Sequence, residues 1–313
     1  MARQLATVFG GSGFIGRYIV QRLARRGWMV RVAIRRPDEA LFLKPMGDVG
    51  QITPVAANIR HERSVSAAVE GADAVINLVG ILDEGGLQRF DDVHAEGPRR
   101  LARAAKVAGA HRFLHVSALG ADPQSPAAYG RSKAAGETQV LDQFPAATIF
   151  RPSIVFGPED DFFNRFAKMA QLLPALPLIG GGRTRFQPVY VGDVADAAMA
   201  ALENPDAAGR TYELAGPKAY SFKELMEILL AQIGRRRLLL PIPMPLARLQ
   251  ATLLGLLPHP LLTLDQLRLL ERDNVPSGQF AGLKELGIDP EGLEAILPGY
   301  LDRFRPGGRF ARA

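Results

Sequence analysis

The sequence predicts an α/β protein: a doubly wound parallel sheet followed by a smaller C-terminal lobe. Two observations predict it. Short, near-continuous apolar strands alternate with amphipathic helical segments through the first 150 residues, and strands apolar along their whole length are buried on both faces by helices. After Arg151 the texture changes, because proline and glycine become frequent in FGPED, LLPALPLIGGG, LPIPMPL and LLPHP.

Taken in order, the strands are Leu5 to Phe9, Met29 to Ile34, Ile52 to Ala56, Ala74 to Leu78, Arg112 to Val116 and Ala147 to Phe150. Helices fall between them at Phe14 to Arg26, from Ser64, from about Glu96, and at Tyr129 to Gln143. The first domain is therefore expected over 1–151 and the lobe over 152–313. Within the lobe, helices are expected at Ala195 to Glu203 and Phe222 to Gln232. PVYVGDV at Pro188 to Val194 reads as a further strand, so the stretch near 187–200 is expected to return to the first domain. The tail Arg303 to Ala313 is polar, Gly-rich and expected to be loosely ordered.

The chain has 313 residues, of which 47% are hydrophobic and 22% charged, an ordinary balance for a packed globular core. It has no cysteine, which excludes disulfides, thiol nucleophiles and Cys-ligated metal centres. The start MARQLATVFG enters a strand at once, so no leader is expected and the location is expected to be cytoplasmic. The most apolar stretch, Leu238 to Leu270, is broken by Pro241, Pro243, Pro245, Pro258, Pro260 and Arg248, which argues against a membrane span. Net charge is +6, but the arginines form short scattered clusters without a zinc finger, an aromatic RNA-binding signature or a basic helix. Nucleic acid is not the expected partner. An acidic protein or an anionic membrane surface suits such patches better, and solubility alone also accounts for them.

The chemistry begins at TVFGGSGFIG, Thr7 to Gly16, a strand that runs straight into a Gly10, Gly13, Gly16 turn and a helix. Gly10 allows the tight turn, Gly13 lets a pyrophosphate approach the backbone and Gly16 lets helix and strand pack closely. The helix start, with Phe14 and Ile15, turns its unpaired amides and positive dipole end toward the phosphates. This is the pattern of a Rossmann dinucleotide site. At the end of the second strand an acid would bind a free ribose 2′-hydroxyl, whereas Arg35 and Arg36 stand there and suit a 2′-phosphate. NADPH is therefore expected rather than NAD(H). Asn58 after the third strand, Asn77, Leu78, Val79 and Gly80 at the end of the fourth, and Pro152 are expected to line the adenine and the nicotinamide-side ribose.

A second constellation is Ser117 at the end of the fifth strand with Tyr129 and Lys133 in AAYGRSKAAGE. Four residues apart on one helix, the phenol and ammonium share a face, and a nearby cation would lower the tyrosine pKa toward neutrality for acid or base work. Two uses of the set stand: catalysis by Tyr129, Lys133 and Ser117, or mere support of the cofactor. His61, His94, His111, His115 and His259 lack metal-ligand spacing, and no metal site is expected. Asp160 with Asp161, or Asp193 with Asp196, would make an acid pair, but helix N-capping explains Asp193 more simply. Phe162, Phe163 and Phe166 are at helical spacing and are expected to be core or pocket lining.

GGSGFIG, the Ser117, Tyr129 and Lys133 set, and RPSIVFGPEDDF at Arg151 to Phe162 together resemble the extended or atypical short-chain dehydrogenase/reductase superfamily, over nearly the whole chain. That resemblance implies a nicotinamide dinucleotide in a Rossmann domain and substrate in the C-terminal lobe. The gap between Ser117 and Tyr129 is shorter than in sugar epimerases, which argues against a nucleotide-sugar substrate.

More narrowly, the chain resembles the family of nucleotide-binding accessory subunits of respiratory complex I, the NADH:ubiquinone oxidoreductase. The stretches are TVFGGSGFIGRYIV, LKPMGDVGQI, AVINLVG, QPVYVGDVADA and LLLPIPMPL, and PMGDVGQ weighs most because no cofactor-binding rule demands it. The resemblance implies tightly held structural NADPH, without turnover, in a subunit docked on the peripheral arm near the quinone channel and the membrane. Carried over, Gly10, Gly13 and Gly16 would meet the pyrophosphate, Arg35 the 2′-phosphate, and Tyr129 and Lys133 the nicotinamide ribose. The Pro-rich apolar stretch beside Arg235 to Arg237 would suit a partner surface near anionic headgroups, on the cytoplasmic face of the inner membrane; an ordinary lobe core accounts for it equally. The other class of function is a free-standing NADPH-dependent reductase or epimerase for a small carbonyl or quinone compound, with Tyr129 as proton donor.

Overall fold

A computed structural model describes residues 4–254 and 263–308. Pro258, His259, Pro260 and the last five residues of the tail lie outside the described residues. The chain divides into two compact units, the first built from 1–152, 191–214 and 278–289, and the second from 153–190, 215–277 and 290–313.

The first unit is a seven-stranded, wholly parallel sheet. Its strands are β1 (Leu5–Phe9), β2 (Met29–Ile34), β3 (Ile52–Ala56), β4 (Ala74–Asn77), β5 (Arg112–Val116), β6 (Thr148–Pro152) and β7 (Thr211–Leu214), arranged β3-β2-β1-β4-β5-β6-β7. Helices α1 (Phe14–Arg25), α2 (Glu62–Val69), α3 (Gly97–Val107), α4 (Ala128–Gln143) and α5 (Val191–Glu203) complete it. The order reverses between β1 and β4, and in doubly wound sheets the crevice beyond the strand ends at that point is where ligands bind. This is the Rossmann arrangement. Its core sets Phe9, Val75, Phe113 and Ile149 of the sheet against Val65, Leu101, Ala105 and Val140 of the helices.

Three elements depart from the sequence expectation. A π-helical turn, Asp91–Glu96, precedes α3, so the chain turns helical earlier than Glu96. The expected strand at Pro188 to Val194 is a two-residue strand, Val189–Tyr190, after which α5 begins at Val191, because the Ala-rich run that follows favours helix over the β-branched residues before it. Asp193 therefore lies inside the first turn of α5 rather than at its N-cap, and Asp196 is held by Arg22 of α1 at 2.6 and 2.8 Å.

The PMGDVGQ segment has a structural explanation. The buried Gln51 side chain donates to the carbonyls of Ala24 (2.7 Å) and Trp28 (2.9 Å) and accepts from the Asp48 amide (2.8 Å), closing the C-terminal end of α1 onto the loop before β3. Gly47 is required beside it, since a Cβ there would come within 2.6 Å of Gln51 Oε1.

The second unit packs helices Phe162–Leu172, Phe222–Gln232 and Leu293–Leu301 around Phe156, Phe163, Phe186 and Phe222. Phe162 and Phe166 pack against this cluster, so the phenylalanine run is core. The helix Phe222–Gln232 opens with a capping box between Ser221 and Glu224. Buried Asp160 accepts from Tyr300 Oη (2.6 Å) and from the amides of Gly157 and Asn164 (both 3.1 Å), so it holds a turn and is not one of an acid pair. A two-stranded parallel sheet joins Ala175–Ile179 to Leu238–Ile242. No helix among the described residues is long and apolar enough to cross a membrane.

Replacing Gln51 by Leu keeps volume but leaves two buried carbonyls and an amide without this partner. The expected loss is about 2–4 kcal/mol of unfolding free energy, read as a lower urea midpoint at unchanged m. A midpoint equal to that of the wild type would refute the clamp.

Candidate nucleotide site

The glycine turn sits at the switch point. Gly10 has φ +78°, and a Cβ there would press on the Leu78 carbonyl carbon at 3.3 Å, so β1 and the loop after β4 meet backbone to backbone. At Gly16 a Cβ would stand 2.4 Å from the Gly10 carbonyl oxygen, which fixes the close packing of α1 on the turn. Gly13 is exposed, and a Cβ there would approach only the Gly10 carbonyl oxygen, at 3.2 Å. No side chain caps α1 and no acid lies in its first turn, so the Phe14, Ile15 and Gly16 amides form an uncapped positive helix end.

Beyond β2 the two arginines differ. Arg36 pairs with Glu39, whereas Arg35 is exposed and has no carboxylate partner among the described residues. Arg17, which sequence reasoning missed, lies over the Phe42 ring at 5.1 Å and reaches the Gly13 and Ser12 carbonyls. Asn58 uses Oδ1 to hold the Arg60 amide (3.1 Å), so the carboxamide oxygen shapes the loop before α2. Asn77 ends β4. Its Oδ1 accepts from the Val79 amide (3.2 Å) and its Nδ2 donates to His115 Nδ1 (3.0 Å), which settles the orientation of the amide. Gly80 is exposed on the same loop. Two carbonyls of β6 tie the segment that carries Ser117 to the sheet: Phe150 accepts from the Ser117 amide (2.6 Å), and Pro152, the last residue of the strand, accepts from the Leu119 amide (3.0 Å).

Lys133 reaches Val116, next to Ser117 in the chain, and Tyr129 lies one turn earlier on α4, but the electrostatics of the set differ from the expectation. Burial pushes the Tyr129 phenol up to about 12. The Lys133 Nζ donates to the Val116 carbonyl at 2.9 Å. Lys133 is buried and lowered to about 8, by desolvation first, with Glu137 opposing. The spacing of four residues correctly implies a shared helix, yet a buried ammonium takes the nearest strong acceptor, here the end of β5. Ser117 Oγ and His115 Nε2 are buried side-chain atoms without a hydrogen-bond partner, which is what a polar ligand in this crevice would resolve.

Two histidines complete the site. His94, carried on the π-helical turn, is lowered to about 3 by burial and then by Lys133, and His115 is lowered well below its usual value for the same reasons. Helix α4 approaches the π turn so closely that a Cβ on Gly136 would fall 1.9 Å from the His94 carbonyl oxygen. Metal spacing, the only signal weighed for His94 in the sequence, gives it no role. The glycine in the middle of α4 was the available signal, since glycine costs a helix stability unless something approaches it. Among the described residues no group of three side chains could hold a metal ion.

The model of the NAD dependent epimerase/dehydratase family matches residues 6–215. The chain belongs to that family. Within it, the chain is 39% identical over 316 residues to the mitochondrial NADH dehydrogenase [ubiquinone] 1 alpha subcomplex subunit 9 of Arabidopsis thaliana, covering 97% of this chain and 79% of the relative. That places it in the family of those subunits. It is also 32% identical to a ceramide reductase of Caulobacter vibrioides, over 65% of this chain and 62% of the relative. A dTDP-glucose 4,6-dehydratase from Streptomyces venezuelae, solved with NAD and TYD bound, has the same fold, with a TM-score of 0.71, 20% identity, and coverage of 95% of this chain and 96% of that one.

Both imidazoles are neutral in the fold and protonate readily when unfolded. Between pH 6.5 and about 3 the unfolded chain therefore binds more protons at His94, so stability is present above the ordinary histidine pKa and falls as pH drops through this window. Each histidine contributes a limiting slope of about 1.4 kcal/mol per pH unit. Replacing His115 by Gln should remove one such slope from the pH dependence of stability, measured by urea titrations between about pH 6 and pH 5. An unchanged slope would mean that His115 is not held neutral.

Proposed function

We propose that this chain is an accessory subunit of respiratory complex I that holds NADPH as a structural element and does not turn it over. The observation that carries the assignment to the complex is the 39% identity to the plant subunit across 97% of the chain. The crevice supports the nucleotide: an uncapped helix end behind Gly13, the backbone contact at Gly10, and buried Ser117 Oγ without a partner. Unpaired Arg35 at the end of β2 supports the 2′-phosphate and hence NADPH over NAD(H). Gly10, Gly13, Gly16, Phe14 and Ile15 would hold the pyrophosphate, Asn58 the adenine side, and Leu78, Val79, Gly80, Pro152, Tyr129 and Lys133 the nicotinamide side. The bound nucleotide supplies a charged span that joins these backbone ends.

A structural role for the nucleotide is favoured by the Tyr129 phenol at about 12 and by the Lys133 bond to Val116. With burial raising its phenol to about 12, Tyr129 is poorly matched to proton transfer near neutral pH. The partner would be the peripheral arm near the quinone site, on the cytoplasmic face of the inner membrane. Exposed Leu238, Leu240, Leu246 and Leu249, with exposed Arg236 next to this stretch in the chain, support a surface suited to that junction and to anionic headgroups. The second reading, a free-standing NADPH-dependent reductase, draws on the similarity to ceramide reductase and on the presence of Ser117, Tyr129 and Lys133.

Denaturing the purified native protein should release near-stoichiometric NADPH that survives dialysis, identified by mass spectrometry, and the protein should travel with the detergent-solubilised complex. Arg35→Asp should weaken NADPH binding by about 10–100-fold and NADH binding far less. Gly13→Trp should strip the nucleotide altogether. Tyr129→Phe, which removes only one hydroxyl among several nicotinamide-side groups, should barely change occupancy or complex stability. An activity abolished by Tyr129→Phe in a free protein with exchangeable cofactor would favour the reductase instead.

A further inference from the structure

We propose that His94 is a positioning residue that latches the loop after β4 to α4, and so sets the affinity for the nicotinamide half of the nucleotide. The inference rests on the nucleotide-holding reading above. Its basis is a chain of hydrogen bonds with only one consistent direction. The Ile81 amide donates to His94 Nε2 at 3.0 Å, so Nε2 carries no proton and the neutral ring carries it on Nδ1. Nδ1 then donates to Ser132 Oγ at 2.9 Å, and the Ser132 hydroxyl donates to the Tyr129 carbonyl at 2.8 Å.

The imidazole is fixed in place as well as bonded. It stacks on Phe90, with ring centres 5.3 Å apart and planes 21° apart, and meets the Tyr129 ring edge to face at 5.4 Å. Its backbone is pinned where α4 passes Gly136. At the other end stands the loop that begins Leu78, Val79, Gly80, and a Cβ on Gly80 would lie 3.5 Å from Nε2. Further along, Leu82 and Leu87 are exposed, so the His94 bond at Ile81 ties the loop where it leaves the crevice. One ring thus couples the loop to the helix that carries Tyr129 and Lys133. An imidazole suits this task because its two nitrogens accept on one side and donate on the other.

The test compares two ligands on the full chain, freed of nucleotide: NADPH, and 2′,5′-ADP, which has the adenosine half and the 2′-phosphate but no nicotinamide. His94→Leu should weaken NADPH about tenfold, the worth of one lost hydrogen bond, and leave 2′,5′-ADP unchanged. His94→Gln, whose side-chain oxygen can accept from the Ile81 amide, should recover most of the NADPH affinity. Ser132→Ala, a change too small to unfold the domain, should weaken NADPH alone and decides the matter if His94→Leu does not fold. Equal loss for both ligands would make His94 a packing residue and overturn the latch, as would NADPH affinity unchanged in His94→Leu and Ser132→Ala. A wild-type chain that binds neither ligand would instead overturn the nucleotide reading.

Discussion

The site is organised around one buried cation. Lys133 lies in the interior of the sheet unit, and its ammonium is met by a backbone carbonyl at the end of β5. Burial first, and then repulsion from this charge, keeps His94 and His115 neutral. Neutrality fixes which nitrogens accept, and that fixes the partners: Asn77 for one ring, and Ile81 with Ser132 for the other. The compensating carboxylate, Glu137, stands one turn further along α4 and is shared with Arg151, which it grips through both oxygens at 2.9 and 2.6 Å. Arg151 in turn lies over the Phe280 ring at 4.7 Å. Removing one charge from this series would leave its neighbour buried and uncompensated.

Much of the fold was legible in the sequence. Strands apolar on both faces give a strong signal, and β1, β2, β3 and β5 fall on their expected residues. Local chemistry also marked the glycine turn, because each glycine answers a short-range steric demand. The π turn was not legible, since its cause is the approach of a helix about 40 residues later in the chain, at Gly136. The strand expected at Pro188 to Val194 is cut short for a local reason: the β-branched residues there run into an Ala-rich stretch that favours helix from Val191.

The candidate site shows the same division. Arg35 and Arg36 look alike in sequence, and only Glu39 separates them by pairing with the second. Tyr129 and Lys133 share a helix as their spacing implies, yet spacing carries no information about which acceptor a buried ammonium will choose. The Gln51 clamp was visible as an unusual string of residues, but two of its three bonds reach back to the end of α1, at Ala24 and Trp28, and could not be read locally.

The sheet unit is not contiguous in the chain. It leaves at Pro152, returns for α5 and β7, and returns again at 278–289, where Ala281 bridges the edge strand at Tyr212 and its carbonyl accepts from the Glu213 amide at 2.9 Å. A ribosome making this protein from the N-terminus therefore releases six of the seven strands long before the edge that covers them exists. During that interval β6 presents an open row of amides and carbonyls, and the nascent chain must be shielded from pairing with another copy of itself.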